Sequence, residues 1–335
     1  MGAQLRVYRR RISATQSTRK ITKAMELIAA SRIAKAQQRM KAARPYADEL
    51  SRALAALTDE TSLRHPMLNG VENPRRAGIL LVTSDRGLAG GYNANAIRRA
   101  NDLAAQLEGD GKEVERYVIG RKGVAYFRFR NIDLAGAWTG FSEQPNFTDA
   151  RGATEAVVFA LEATSEGTVK VSEDESGGRA AGERAGIDEL WVVYTRFVNS
   201  VSQTPRAVQV SPVQSDQDDD VSTDDGEDRE QGQDASGSDD DGPKPLYEFE
   251  PEPGKLIEAL LPRYISSRIF SALLESAASE SAARRRAMKS ASDNATDLIK
   301  TYTRLANQAR QAEITQEISE IVGGADALAS AGAED

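Results

Sequence analysis

The sequence predicts a mixed fold: a central Rossmann-like α/β domain joined to a long antiparallel α-helical coiled coil formed by the N- and C-terminal helices. Three observations predict it: where the glycines fall, how apolar residues are spaced at the two ends, and how strand and helix signals alternate between them. Glycine is costly inside helices and enriched in turns. Of 26 glycines, none lies between Ala3 and Asn69 and none between Lys255 and Val322, whereas 22 lie from Gly70 to Gly254. The chain therefore reads as an N-terminal coiled-coil helix (1–60), a central α/β domain (70–213) carrying an inserted loop (164–186), an acidic disordered insertion (214–242), a C-terminal coiled-coil helix (250–324) and a flexible tail (325–335).

In the first helix Ile33, Ala36, Met40, Ala43, Ala47, Leu50, Leu54 and Leu57 step alternately by three and four residues, which is a coiled-coil seam. Ile21, Met25 and Ile28 keep the rhythm but sit one position out of phase, so a local slip in supercoil phase is expected. The seam holds its phase on both sides of Pro45, which predicts a kink and not a break. In the middle, Ile79–Thr83, Val114–Ile119 and Leu190–Val193 read as strands, and Asn93–Leu107 and Thr148–Leu161 as helices. That order implies a largely parallel sheet. Thr164–Gly186, rich in Gly, Glu, Ser and Arg, and Gln214–Gly242, almost free of large apolar residues, read as solvated loops. The last helix repeats the seam through Met288, Ala291, Ala295, Leu298, Tyr302, Leu305, Ala309 and Ala312, with Gly323-Gly324 as its expected stop. At ~1.5 Å per residue it would extend roughly 100 Å and needs a partner along its length, for which the N-terminal helix is the candidate.

Composition removes much chemistry. There is no cysteine and only one histidine, His65, so thiolate sites, disulfides, cysteine nucleophiles and histidine metal clusters are excluded. No run of about 18 apolar residues occurs, and the first residues lack the apolar stretch of a signal peptide, so the chain is expected to be cytoplasmic. The net charge of -8 conceals two opposite regions. Gln214–Gly242 holds thirteen acids against one Arg, while residues 1–44 hold twelve Lys or Arg against Glu26 alone. The basic helix calls for an acidic partner, either nucleic-acid phosphate or a protein surface. Tyr8 is its one aromatic up to residue 44, and its apolar face runs at a coiled-coil period, which favours the protein.

The most chemical-looking motif is Thr83-Ser84-Asp85-Arg86-Gly87-Leu88-Ala89-Gly90-Gly91-Tyr92-Asn93, a Gly-rich strand-to-helix loop of the kind that binds phosphate. Its glycines do not form G-x-G-x-x-G, and no Gly-Lys-Ser/Thr ending makes a P-loop, so a tight structural turn is the better reading. His65 precedes Pro66 without a nucleophile nearby, and Ser84-Asp85 or Glu248 and Glu250 lack the ligand count of a cation site. No catalytic residue, cofactor or metal is expected.

Four ordered blocks carry a family resemblance. Thr18-Arg19-Lys20-Ile21-Thr22-Lys23-Ala24-Met25-Glu26-Leu27, the loop Ser84–Asn93, Ala287-Met288-Lys289-Ser290-Ala291-Ser292-Asp293-Asn294-Ala295, and the stretch Ala309–Ala325 resemble, in order, the gamma subunits of bacterial F-type ATP synthases. The resemblance covers nearly the whole chain apart from the two solvated loops and the last residues. It implies a noncatalytic central-stalk rotor, present once per complex. Its helices would turn inside a ring of catalytic and noncatalytic subunits, and its α/β domain would rest with the epsilon subunit on the ring of membrane c subunits. Rotation would couple ion flow to ATP synthesis or hydrolysis at the cytoplasmic face of the bacterial plasma membrane. By the same resemblance Met25 faces the acidic lever segment of a catalytic subunit, Arg284, Gln311 and Thr315 contact the head, and Tyr247 and Glu250 touch the membrane ring. Thr164–Gly186 is similar to actinobacterial insertions, and Gln214–Gly242 is longer and more acidic than the family pattern. Each either regulates rotation or is a tolerated surface insertion.

Overall fold

The computed structural model describes residues 3–60, 65–171, 182–213 and 253–331. Helix α1 (Ala3–Glu60) and helix α6 (Pro253–Ala331) bracket a central region. In chain order that region contains α2 (Pro66–Asn69), β1 (Arg76–Val82), α3 (Tyr92–Gly109), β2 (Glu113–Ile119), α4 (Arg121–Phe129), β3 (Gly136–Trp138), α5 (Phe147–Ala163), β4 (Thr168–Val171), β5 (Gly182–Ala185), β6 (Glu189–Phe197) and β7 (Gln203–Ser211). The chain divides into two compact units: residues 1–35, 87–91 and 280–335, and residues 36–86 and 92–279.

The second unit is built on a five-stranded sheet of order β3-β2-β1-β6-β7. β3, β2, β1 and β6 are parallel, and β7 returns antiparallel beside β6. Right-handed helical crossovers require both faces to be covered, so the central strand β1 is apolar on both sides. Ala77, Ile79 and Leu81 join Val118 and Val193 under α3 and α4. Leu80 and Val82 join Ile119, Val192 and Val210 under α5, the start of α6 and the end of α1. Leu50, Leu54 and Leu57 of α1 and Ile257, Leu261, Ile265 and Ile269 of α6 belong to that core, so residues 36–60 and 253–279 of the terminal helices pack as part of the α/β unit.

The first unit pairs the free portions of α1 and α6. The Arg11 guanidinium lies 5.8 Å from the centroid of the Tyr302 ring, and Thr22 Oγ1 shares a 2.7 Å hydrogen bond with Ser292 Oγ. Eleven residues forward along α1 therefore correspond to ten back along α6, which makes the pair antiparallel. Thr22 and Ser292 are buried among small residues, Ala29 and Ala295, that let the backbones approach. A buried hydroxyl pair at one seam level favours this register, because a slip breaks the Thr22–Ser292 bond and leaves the Thr22 hydroxyl only its 3.1 Å bond to the Arg19 carbonyl.

Four local expectations are corrected. The phase slip before Ile33 is absent: Thr22 and Ala29 carry the seam in unbroken phase, and Ile21 and Ile28 lie outside it, 61% and 54% exposed. Small residues occupy the close interface there, so large aliphatic side chains mark the outer face instead. In α6, Leu298 and Ala312 are exposed, and the buried line passes through Ala295 and Ala306, with Ile299 half-buried. The helix runs through Gly323-Gly324 to Ala331. Two glycines cost about 1 kcal/mol each, which the following Ala-rich stretch offsets. The first part of the tail expected at 325–335 is therefore helical, while residues 332–335 lie outside the described residues.

The fourth correction concerns Thr164–Gly186, whose described part is an antiparallel hairpin, with Thr168 opposite Ala185 and Val171 opposite Gly182. Arg184 fastens it by ion-pairing to Glu115 at 3.2 Å and to Asp133. Residues 172–181 and the insertion 214–242 lie outside the described residues, so the expectations of a solvated loop and of disorder there rest on sequence alone. α1 is continuous through Pro45. Sequence reading also passed over α2, α4, β3 and β7, which are short or half-buried elements.

Candidate functional site

The strand order places a topological switch between β1 and β6, since the chain leaves β1 toward β2 and later adds β6 on the other side. In open α/β sheets ligands bind outside the carboxyl ends of the strands at such a point. Thr83–Asn93 lies there, and its Asp85 carboxylate is engaged by backbone N–H groups of the chain itself. Asp85 Oδ1 accepts the N–H of Arg121, the first residue of α4, at 3.1 Å. Asp85 Oδ2 accepts the N–H groups of Gly140 at 2.8 Å and Ser142 at 3.0 Å, and the Asp85 N–H donates to Ser142 Oγ at 2.8 Å. A helix N-terminus attracts phosphate through its dipole and unpaired N–H groups, and here the chain's own carboxylate fills that role.

The neighbouring glycines serve close packing. Gly120 has φ of +101°, and a Cβ there would meet the Thr83 carbonyl oxygen at 2.2 Å. The Thr83 hydroxyl donates to the Ile119 carbonyl at 2.9 Å and accepts the Gly123 N–H at 3.0 Å. Ser84 N–H donates to Asn93 Oδ1 at 2.9 Å, closing the turn onto α3. The loop is thus a structural lock that joins β1, α3 and α4.

His65 has a structural role too. It caps α2, its Nδ1 accepting the Met67 N–H at 3.2 Å. Burial lowers its pKa, against the opposing pull of Glu258 and Glu162, which keeps Nδ1 available as an acceptor. Among the described residues no group of three or more His, Asp or Glu could hold a metal ion.

What remains is surface. In the first unit, the exposed surface of α1 carries Arg6, Arg10, Arg19, Lys20 and Lys23 interspersed with Val7, Ile21, Leu27 and Ile28, while Arg11 leans onto the Tyr302 ring. On α6, Ile314, Ile318, Ile321 and Val322 are all exposed and recur at steps of four, three and one, so they line one side of the helix. The register set by Arg11 and Tyr302 puts the first residues of α1 opposite residue ~310 of α6, so this stripe lies beyond the reach of its partner helix. A contiguous apolar stripe on an unpartnered helix marks an interaction surface. The residues 87–91 that group with these helices present Leu88, exposed at φ of +64°, a conformation that costs a non-glycine residue about 1 kcal/mol or more.

The residues singled out from the sequence fall differently. Met25 is half-buried beside the seam, and Gln311 and Thr315 are exposed on α6, with the Thr315 hydroxyl donating to the Gln311 carbonyl at 2.9 Å. Arg284, expected on the contact surface, is only 5% exposed. Its Nη2 donates to Glu280 at 2.6 Å, and its guanidinium points at the Gly87 carbonyl oxygen at 3.4 Å. It braces the loop from within. Tyr247 and Glu250 lie outside the described residues. Sequence reading missed the Ile314–Val322 stripe, although its helical spacing was visible just past Ala312, and missed Glu280, whose only signal was an acid four residues before Arg284.

Comparison with known proteins gives the family. The ATP synthase family model matches residues 4–328. The chain is 52% identical over 334 residues to the ATP synthase gamma chain of Salinispora tropica, covering 100% of both chains. It is 51% identical over 330 residues to that of Frankia casuarinae, covering 98% of this chain and 99% of the relative. In fold it is similar to a chain in the cryo-EM structure of the Euglena gracilis mitochondrial ATP synthase OSCP/F1/c-ring assembly, with a TM-score of 0.60 at 17% identity over 98% of this chain and 95% of that one. A chain of the Euglena gracilis rotor structure gives a TM-score of 0.54 at 15% identity, covering 94% of this chain and 100% of that one.

Proposed function

We propose that this chain, which belongs to the ATP synthase gamma chain family, turns as the central shaft of the enzyme and couples ion flow through the membrane ring to ATP synthesis or hydrolysis in the head. It is a noncatalytic stalk subunit, and catalysis belongs to the head. It is peripheral, with no described helix long and apolar enough to cross a membrane. We place it at the cytoplasmic face.

The observation that carries the mechanism is the asymmetry of the paired-helix unit. That unit bears the basic, aliphatic-studded exposed surface of α1, the exposed Leu88 loop and the apolar stripe at the end of α6. A shaft whose sides differ makes different contacts with each of the surrounding catalytic subunits. Each orientation then favours a different conformation at each site, and turning the shaft changes their nucleotide affinities in sequence, a shift of populations by differential contact. Met25 is assigned to the acidic lever of a catalytic subunit, Gln311 and Thr315 to the head, and Tyr247 and Glu250 to the membrane ring. Arg284 acts at one remove, by holding residues 87–91 in place.

Reconstitution tests the reading. Adding the purified chain to a head and membrane sector that lack their shaft should restore ATP-driven proton pumping. Hydrolysis that returns without pumping, or no return of either, would refute it.

A further inference from the structure

At its carboxyl end β6 outruns β1. The β1 ladder stops at Leu81 opposite Val193, whereas β7 continues beside β6 as far as Gln203 opposite Phe197. Thr195 stands in this overhang and is only 4% exposed, so its main-chain groups need partners. The residue opposite it on β7 is Pro205, which has no N–H to give. Helix α6 supplies the partners instead. Ser276 Oγ accepts the Thr195 N–H at 3.3 Å, and the Ser279 hydroxyl donates to the Thr195 carbonyl at 2.9 Å. The Glu275 carboxylate accepts the Phe197 N–H. Glu275 and Ser276 lie four and three residues before Ser279, so the three side chains share one face of the helix. Ser279 is also the last α6 residue of the α/β unit, and the helix runs on unbroken from there into the helix-pair unit.

We infer that Glu275, Ser276 and Ser279 form a torque-bearing clamp, which fixes the rotational setting of α6 against β6 at the point where the helix leaves the α/β unit. The inference rests on the rotor reading and adds to it the residues through which a twisting load enters α6. Apolar contact also seats the helix, through Leu261, Ile265, Ile269 and Leu273. Such contact is non-directional and proportional to area, so a slight turn about the helix axis alters it little. Hydrogen bonds to fixed backbone groups weaken as soon as their lengths and angles change. Three of them, made from adjacent turns of one helix to one strand, resist twist where the apolar seat yields. Alanine would fill nearly the same space as serine with higher helix propensity, so packing and helix formation alone do not account for buried serines at 276 and 279.

The test uses the reconstituted enzyme with its head fixed to a surface, a bead on the α/β unit and limiting ATP. The mean-square angular fluctuation of the bead during pauses between steps reports the torsional stiffness of the path from head to bead. In the double variant Ser276→Ala, Ser279→Ala it should rise about twofold or more, two of the three directional bonds being gone. Glu275→Gln keeps an oxygen for the Phe197 N–H and should leave the fluctuation unchanged. Ile269→Val thins the apolar seat and lowers thermal stability, and it too should leave the fluctuation unchanged, which separates a clamp from a merely stabilising contact. Where the double variant does not assemble, Ser276→Ala alone should give a smaller rise in the same direction. Equal fluctuation in the wild type and the serine variants, or a rise in Ile269→Val that matches theirs, overturns the clamp while a turning wild-type bead leaves the rotor reading standing. A wild-type bead that never turns overturns the rotor reading and the clamp with it.

Discussion

Asp188 shows how a single carboxylate organises this chain. It is buried and accepts the N–H groups of Arg75 at 2.8 Å, Arg76 at 3.0 Å and Ser165 at 2.8 Å, tying the start of β1 to the segment after α5. Burial alone would raise its pKa, but these donors outweigh it, and the folded value lies below the usual 3.8. Its contribution is therefore complete above that usual value and is lost as pH falls through the lower folded one. Asp188→Ala should cost roughly 1–3 kcal/mol by removing the acceptor of three part-buried N–H donors, and should flatten the acid limb of the stability–pH curve, both read by urea unfolding. Gln311 and Thr315 make the contrasting case. They are exposed, so replacing both with Ala should leave the helicity of the purified chain unchanged while lowering coupled proton pumping of the reconstituted enzyme. Collapsed helicity would place them in the seam; full activity would remove them from the contact set. Residue roles were only partly legible in the sequence. Gln311 and Thr315 are exposed as expected, but so is the seam position Ala312, because α1 ends opposite about residue 310; the locking of Asp85 onto α4 and the pairing of Arg284 with Glu280 depend on the path of the chain in three dimensions.

At the scale of elements, helical periodicity carried well where one face of a helix is fully buried. Ile33, Ala36, Leu50, Leu54 and Leu57 are buried as their spacing requires, Ile33 in the helix-pair unit and Leu50, Leu54 and Leu57 against the core of the α/β unit. The same reasoning failed at Ile21 and Ile28, where the shaft surface is itself apolar and periodicity alone cannot say which of two apolar faces meets the partner helix. The hairpin β4–β5 was hidden for a different reason: its strands are short and charged, and Arg184 holds it through ion pairs that no local pattern announces. The Ile314–Val322 stripe yields a prediction. Changing Ile314, Ile318 and Ile321 together to Ser removes three exposed aliphatic side chains, so helicity and thermal unfolding of the isolated chain should change little. Retention in the assembled head should weaken, by tenfold or more if even half the transfer free energy of about 1.5–3 kcal/mol per side chain is realised at the contact. Unchanged retention, measured by dissociation from the purified complex, would show that the stripe meets nothing.

For the whole molecule, the fold class was legible because glycine content separates the terminal helices from the turn-rich middle, while the compact units cut across that division. Residues 36–60 and 253–279 read as coiled coil yet belong to the α/β core, since Leu54, Ile265 and Ile269 find a sheet to cover. The acidic insertion between β7 and α6 is a separate matter of charge. Replacing Gln214–Gly242 with a short Gly/Ser bridge removes twelve net negative charges and almost no apolar surface, so assembly should survive intact; loss of a stable complex on gel filtration would make the insertion an obligatory contact. The central claim is that this chain rotates. With the head of the reconstituted enzyme fixed to a surface and a reporter bead attached to the α/β unit of this chain, addition of ATP should drive continuous rotation in one direction. A bead that stays still while the immobilised head hydrolyses ATP at its full rate would contradict the account.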